Sequence, residues 1–266
     1  MTLCMAWKNN GKVCFASDSR LKFGNSSADV GIKVLSIPYR ILNPAETGSD
    51  HHHSIAYSGE LGMCFAGSTV NSLTIKESVV EILKSLRHAP GYTDVSMAGI
   101  AQFIFTAYKL ISRRLCETDL ASNGRADIII GGLCPETSTV RVFLFTTNEQ
   151  NQHALSEILA TEDSHYFLGT GKECAEKDLP QNPSDVDYLN ILKSVIGDAS
   201  IDSVGGNIQY GEFKENQFSV YGIVELGAQV HYWRGALDLN SDEFMADHSS
   251  LIPGGPYIDP FTTIGI

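Results

Sequence analysis

The sequence has no long apolar run. Its longest, such as Ile128-Ile129-Ile130, fall far short of the about 20 residues that a bilayer-spanning helix takes. No long apolar stretch follows the first lysine either, so a secretory signal is not expected, and the expected location is the cytoplasm. No Cys-x-x-Cys pair occurs among the six scattered cysteines (Cys4, Cys14, Cys64, Cys116, Cys134 and Cys174). That spacing supports neither a disulfide framework nor a zinc site, and reduced, buried thiols are the expectation. Positive charge is scarce: 19 Lys and Arg stand against 31 Asp and Glu, a net charge of −12. Such a chain gains nothing from a nucleic-acid backbone and is repelled by an anionic membrane. Peptides or neutral polymers are easier partners. No segment is dominated by Pro, Ser or Gln, and 43% of the 266 residues are hydrophobic. Wholesale disorder is not expected and one substantial core is within reach.

Residues 3–8 and 12–17 are short apolar runs separated by Asn9-Asn10-Gly11, and Asn-Gly between two such runs is a strong hairpin signal. The chain therefore starts inside a sheet. Residues 33–38 and 61–66 read as further strands, with a polar loop at 43–54 between them. Apolar positions at helical spacing predict a helix over 69–86, and Pro90-Gly91 breaks the pattern. A second helix, 95–116, reads as apolar nearly all round and calls for cover on more than one side. Strands are expected at 126–133, 140–146 and 165–168, then short helices at 171–178 and 185–196. The last helix follows Ser184, a good N-cap, with Asp185 and Asp187 in its first turn. Strands at 217–225 and 228–235 precede a loop-like tail over 238–266. Strands, two helices, strands, two helices, strands fit a four-layer αββα sandwich of α+β class, in one domain spanning 1–266 without linker or repeat.

One constellation points to chemistry. Methionine aminopeptidases remove Met1 when the next residue is small, as Thr2 is. A threonine hydroxyl needs a base, and the freed α-amine, with an ordinary pKa of roughly 7.7–8.0, can serve. The hairpin returns Ala16-Ser17-Asp18-Ser19-Arg20 to the side of Thr2. Lys33 opens the next strand; buried beside the nucleophile it lowers the pKa of hydroxyl and amine alike, and Asp18 keeps it charged. Phe65-Ala66-Gly67-Ser68 runs from strand into helix, where the Gly67 N–H can stabilise an oxyanion. Taken singly, each feature has a plain structural reading: Asp18-x-Arg20 as an ion pair, Lys33 as a strand-end lysine, Gly67 as a helix-entry turn. His51-His52-His53 reads as a solvated loop with adventitious metal binding at most. Gly169-x-Gly171 lacks the rest of a phosphate loop.

In this order Thr2, Ala16-x-Asp18-Ser19-Arg20, Gly24-Asn25, Lys33-Val34 and Ala66-Gly67-Ser68 resemble the proteasome β-subunit-like family of N-terminal-nucleophile (Ntn) hydrolases, of the bacterial proteasome-homologue type. The match is good over 2–86 and looser over 126–235, through Gly169-Thr170-Gly171 and Val204-Gly205-Gly206. The resemblance implies the Ntn-hydrolase sandwich and a threonine endopeptidase working through an acyl-enzyme without a cofactor or metal. It makes Thr2 the nucleophile, Asp18 and Lys33 its activators, and Gly67 the oxyanion donor, with Arg20 in support. Thr170 falls where the family carries a supporting Ser. Val204 occupies another family Ser position, leaving Asp202 and Ser203 as substitutes out of register. By position Leu21, Gly31, Phe65 and Thr69 line the specificity pocket, implying apolar or neutral substrate side chains. Relative to the family, residues of about 39–61 are an insertion and about 236–266 an extension. Implied partners are a peptide or protein substrate and further copies of the chain in a ring or related assembly; an ATPase partner has no support in the sequence. Two alternatives stand beside this reading, a non-peptidase Ntn amidohydrolase and an inactive assembly subunit.

Overall fold

The computed structural model describes residues 2–43, 54–87, 95–118, 120–215, 217–225, 230–235, 237–238, 256–259, 261–262 and 264–265. The chain opens with β1 (Cys4–Asn9), β2 (Lys12–Ser17), a ribbon of β3 (Leu21–Phe23) and β4 (Ser26–Ala28), then β5 (Val34–Leu42) and β6 (Ile55–Gly67). Helix α1 (Thr69–Leu83), the two-residue β7 (Leu86–Arg87) and helix α2 (Met97–Cys116) follow. Next come β8 (Ala126–Leu133), β9 (Val140–Thr147), β10 (His153–Ile158) and β11 (Ser164–Leu168), and helices α3 (Lys172–Asp178) and α4 (Asp185–Gly197). The chain closes with β12 (Gln209–Lys214), β13 (Gln217–Glu225), β14 (Val230–Trp233), β15 (Leu237–Asp238), β16 (Tyr257–Asp259) and β17 (Ile264–Gly265).

Two sheets carry the architecture. One runs β11-β1-β2-β12-β13-β14-β15, and the other β10-β9-β8-β6-β5-β7. Alternation along β1 shows why its sequence is nearly all apolar. Leu3, Met5 and Trp7 face Tyr188, Leu189 and Leu192 of α4, while Cys4 and Ala6 face Val34, Cys64 and Ile129 of the second sheet. Successive side chains of a strand point to opposite faces, so a strand buried on both sides has no polar face to show. On the far side, Ile37, Phe65 and Phe145 meet Ile75 and Val79 of α1 and Ile104 and Tyr108 of α2. The layers are therefore helix, sheet, sheet, helix: an α+β, four-layer αββα sandwich. The first hairpin turns at Asn10 and Gly11 with φ of 52° and 77°, the paired positive values of a type I′ turn.

Several elements differ from expectation. Within 39–61 the described residues 39–42 and 55–61 lie in a ladder, with β5 and β6 paired from Val34↔Cys64 out to Leu42↔Ile55. Residues 44–53, with His51-His52-His53, lie outside the described residues. Helix α2 is not apolar all round: Ile100, Ile104 and Tyr108 are buried, but the opposite face shows Gln102 and Lys109 with exposed Phe103 and Leu110. Strands β10 and β12 were not expected, because His-Ala-Leu-Ser-Glu-Ile and Gln-Tyr-Gly-Glu-Phe-Lys mix polar and apolar residues on each face. The tail is not wholly loop-like, since β16 adds to β13 in parallel through Gly222↔Tyr257 and Ile223↔Ile258. Among the described residues, no helix is long and apolar enough to cross a membrane.

Candidate active site

Thr2 precedes β1 and is held from both sides. Its carbonyl accepts from Gly171 N at 3.3 Å, and the neighbouring Leu3 carbonyl accepts from Asp18 N at 3.4 Å and from Ser17 Oγ at 3.1 Å. Gly169 explains how the loop after β11 comes so close. Its φ is +92°, and a Cβ there would run into the Thr2 carbonyl, so only glycine fits. Thr2 is 1% exposed.

The Thr2 hydroxyl meets two charged groups. It donates to Asp18 Oδ1 and lies against Lys33 Nζ, and Lys33 Nζ pairs with Asp18 Oδ1 at 2.9 Å. The Asp18 and Lys33 side chains are both buried. A buried charge is tolerable only when paired and hydrogen-bonded. Asp18 meets that demand with three backbone donors besides the lysine: Leu3 N at 3.0 Å, Arg20 N at 3.0 Å and Gly205 N at 3.2 Å. Asp18 is thus an acceptor-only hub that fixes Lys33 against the Thr2 hydroxyl.

Gln209 of β12 fastens the hub from behind. Its Nε2 donates to the Asp18 carbonyl at 3.1 Å and the Gly31 carbonyl at 2.7 Å. Its Oε1 accepts from Lys33 N at 2.9 Å and Val34 N at 3.3 Å. One buried amide therefore joins the segment after β2 that carries Asp18 to the segment carrying Lys33. Sequence reading missed it, because no strand was assigned over 209–214.

Arg20 does not make its ion pair with Asp18. Its guanidinium grips Asp29 bidentately, Nε to Oδ1 at 2.7 Å and Nη2 to Oδ2 at 2.9 Å. The hydrogen bonds from Arg20 hold the Asp29 carboxyl below the usual carboxylate range. Arg20 Nη1 reaches the Asp202 and Val204 carbonyls at 3.3 and 3.2 Å. The 202–205 segment therefore meets the site through its backbone. Its side chains go elsewhere: Asp202 pairs with Lys22 at the surface, and Ser203 shares a hydrogen bond with Thr170, Oγ to Oγ1 at 2.6 Å. Val204 is buried among the apolar residues under α4.

A cleft of about 490 Å³ opens over Thr2 and Lys33. Leu21, Phe65 and Thr69 line it, as does Gly67. Gly31 is not in its wall. A Cβ at Gly31 would stand 2.5 Å from Leu21 Cδ2, so this glycine makes room for the Leu21 side chain instead. Gly67 has φ +100°, and a Cβ there would lie 2.6 Å from the Arg125 carbonyl. That conformation and contact leave no room for a side chain where β6 passes into α1. Beyond Gly67 lies a shallower depression with Asp127, Thr147 and Thr170 in its wall. Burial raises the Asp127 carboxyl. Among the described residues no three His, Cys, Asp or Glu side chains group as a metal site would require.

The fold recurs in solved structures. Anbu (ancestral beta-subunit) from Yersinia bercovieri is 16% identical with a TM-score of 0.54, covering 92% of this chain and 91% of that one. The helical assembly of the Anbu complex from Pseudomonas aeruginosa is 17% identical with a TM-score of 0.54, covering 92% and 90%. The Anbu (Gly-1) mutant from Hyphomicrobium sp. strain MC1 is 14% identical with a TM-score of 0.53, covering 92% and 91%. No protein-family model matches the chain, and no curated protein matches it significantly. The family assignment drawn from the motifs is corrected accordingly. These neighbours are Anbu proteins, not β-subunits of the bacterial proteasome-homologue type, and identities of 14–17% establish the shared fold alone.

Proposed function

We propose that the chain is a threonine-type amide hydrolase that cleaves peptide bonds through an acyl-enzyme on Thr2, once Met1 has been removed. The observation that carries this reading is the contact of one buried hydroxyl with both members of a buried ion pair, Lys33 and Asp18. The Thr2 hydroxyl attacks the substrate carbonyl, and its proton passes to the freed Thr2 amine. The ammonium of Lys33 favours the developing alkoxide, and Asp18 holds that ammonium in place. The Gly67 N–H donates to the tetrahedral oxyanion. The amine then returns the proton to the leaving nitrogen, and water releases the acyl group by the same route. Arg20 supports the site through Asp29 and the carbonyls of Asp202 and Val204, and Thr170 and Ser203 support it through their shared hydroxyl bond.

Assembly into a homo-oligomer, ring or helical, belongs to the same proposal. Apolar residues left exposed on the helices away from the cleft support it: Ile82 on α1, Phe103 and Leu110 on α2. The Pseudomonas aeruginosa neighbour forms a helical assembly.

A second reading, an inactive assembly subunit, is favoured by Val204, an apolar side chain where a hydroxyl would help to tune the amine. Intact mass of protein from its native host separates the two, since a retained Met1 blocks the amine. Hydrolysis of fluorogenic peptides by processed protein, lost in Thr2→Ala with folding intact, supports the peptidase. Turnover that survives Thr2→Ala removes it, and turnover of small acyl-amides alone reassigns the substrate.

A further inference from the structure

The cleft over Thr2 carries an unusual charge for this chain. Among the described residues four cations stand in its wall, Arg20, Lys22, Lys33 and Arg125, and no Asp or Glu does, although acids outnumber bases 31 to 19 overall. Three of the four are matched by a carboxylate. Arg20 grips Asp29, Lys22 pairs with Asp202 and Lys33 with Asp18. Arg125 differs. Its Nε donates to Asn151 Oδ1 at 3.3 Å and its Nη2 to the Glu149 carbonyl at 2.9 Å. Both partners are neutral, and no ion pair of Arg125 occurs among the described residues. Two of its five N–H groups orient the guanidinium, and no carboxylate among the described residues pairs with it.

Its backbone fixes where that charge sits. Arg125 immediately precedes β8, whose Ala126 is in register with Gly67, and the Arg125 carbonyl accepts from Ser68 N at 2.7 Å. The side chain lines both the cleft over Thr2 and the depression beyond Gly67. A guanidinium with spare parallel donors matches a carboxylate in shape and charge. A half-buried guanidinium without a carboxylate partner favours a substrate carboxylate over its neutral amide analogue.

We propose that Arg125 is a specificity determinant that binds a carboxylate on the acyl segment of the substrate, so that the cleft selects acidic over neutral peptides. This replaces the apolar or neutral preference expected from Leu21, Gly31, Phe65 and Thr69. It rests on Thr2 as the nucleophile, and the test separates the two.

The test uses peptide–aminomethylcoumarin pairs that differ only by Glu against Gln in the acyl segment. The wild type is expected to favour Glu by about tenfold in kcat/KM, mainly through KM. Arg125→Gln brings the ratio to about one and leaves the Gln substrate within about twofold, and Arg125→Lys keeps part of the preference because it keeps the charge. If Arg125 merely braces the 149–151 turn, Arg125→Gln slows both substrates equally. That outcome, or an undiminished Glu preference in Arg125→Gln, overturns the proposal. Fluorescein-labelled Glu and Gln peptides are also titrated against Thr2→Ala, with and without Arg125→Gln. Tighter Glu binding that Arg125→Gln abolishes upholds the carboxylate site even if wild-type protein hydrolyses nothing, in which case only the nucleophile reading fails. Equal binding of the two peptides refutes it.

Discussion

Replacing Gln209 with leucine removes the amide behind the site while keeping most of its bulk. Gln209 is 1% exposed, so water cannot take over its partners. Four groups lose their bond: the Asp18 and Gly31 carbonyls, held at 3.1 and 2.7 Å, and the Lys33 and Val34 amides, at 2.9 and 3.3 Å. A buried group left unsatisfied costs about 1–3 kcal/mol. Two of these bonds are short and two are long, and some relaxation will recover part of the loss. A destabilisation of about 3–5 kcal/mol is therefore expected, a large share of a typical stability of about 5–15 kcal/mol. Urea unfolding followed by circular dichroism reads it. The folded fraction should also acylate more slowly, by at least about tenfold, because the Lys33 backbone loses its register against Thr2. A change under about 1 kcal/mol with unaltered acylation would show that the Asp18 and Lys33 segments are held by something else.

Other substitutions probe the same hub. Lys33→Met leaves the Asp18 carboxylate buried without its cation; the expected cost is about 3–5 kcal/mol, together with loss of turnover, read by urea unfolding and peptide hydrolysis. Gly169→Ala adds about 1–3 kcal/mol of backbone strain at φ +92°, and its Cβ displaces Thr2; calorimetry should show a lowered Tm, and acylation should fall with it. The Arg20–Asp29 pair sets a pH signature. Asp29 is depressed below 3.8 when folded, so its contribution is present above that pH and fades as pH falls through the lower folded value. The stability advantage of wild type over Asp29→Asn should therefore shrink as pH falls through and below 3.8; an advantage that grows on acidification contradicts the pairing.

How far the sequence could be read depended on how local the determinants are. Asn10-Gly11 declares its turn within two residues, and that turn alone brings Asp18 back to Thr2. Lys33 and Gly67 were legible because they sit at the starts or ends of apolar strands. Gln209 was not: its four partners come from the segments around residues 18, 31 and 33, and its own strand looks polar. Asp29 was hidden for the same reason, since Arg20 has a nearer acid at Asp18 and only the fold shows that Asp18 is already occupied by Lys33 and three amides. Asp202 and Ser203 attract notice by their side chains, whereas that segment meets the site through the carbonyls of 202 and 204 and the amide of Gly205. The parallel addition of Tyr257–Asp259 to β13 leaves no local signal at all.

The most direct test of the account is to treat processed protein with a peptide electrophile that traps N-terminal threonine and to map the adduct by mass spectrometry. The account predicts one adduct per chain, on Thr2, lost in Thr2→Ala and slowed in Lys33→Met. No adduct on a chain shown to lack Met1, or an adduct on another residue, would contradict it.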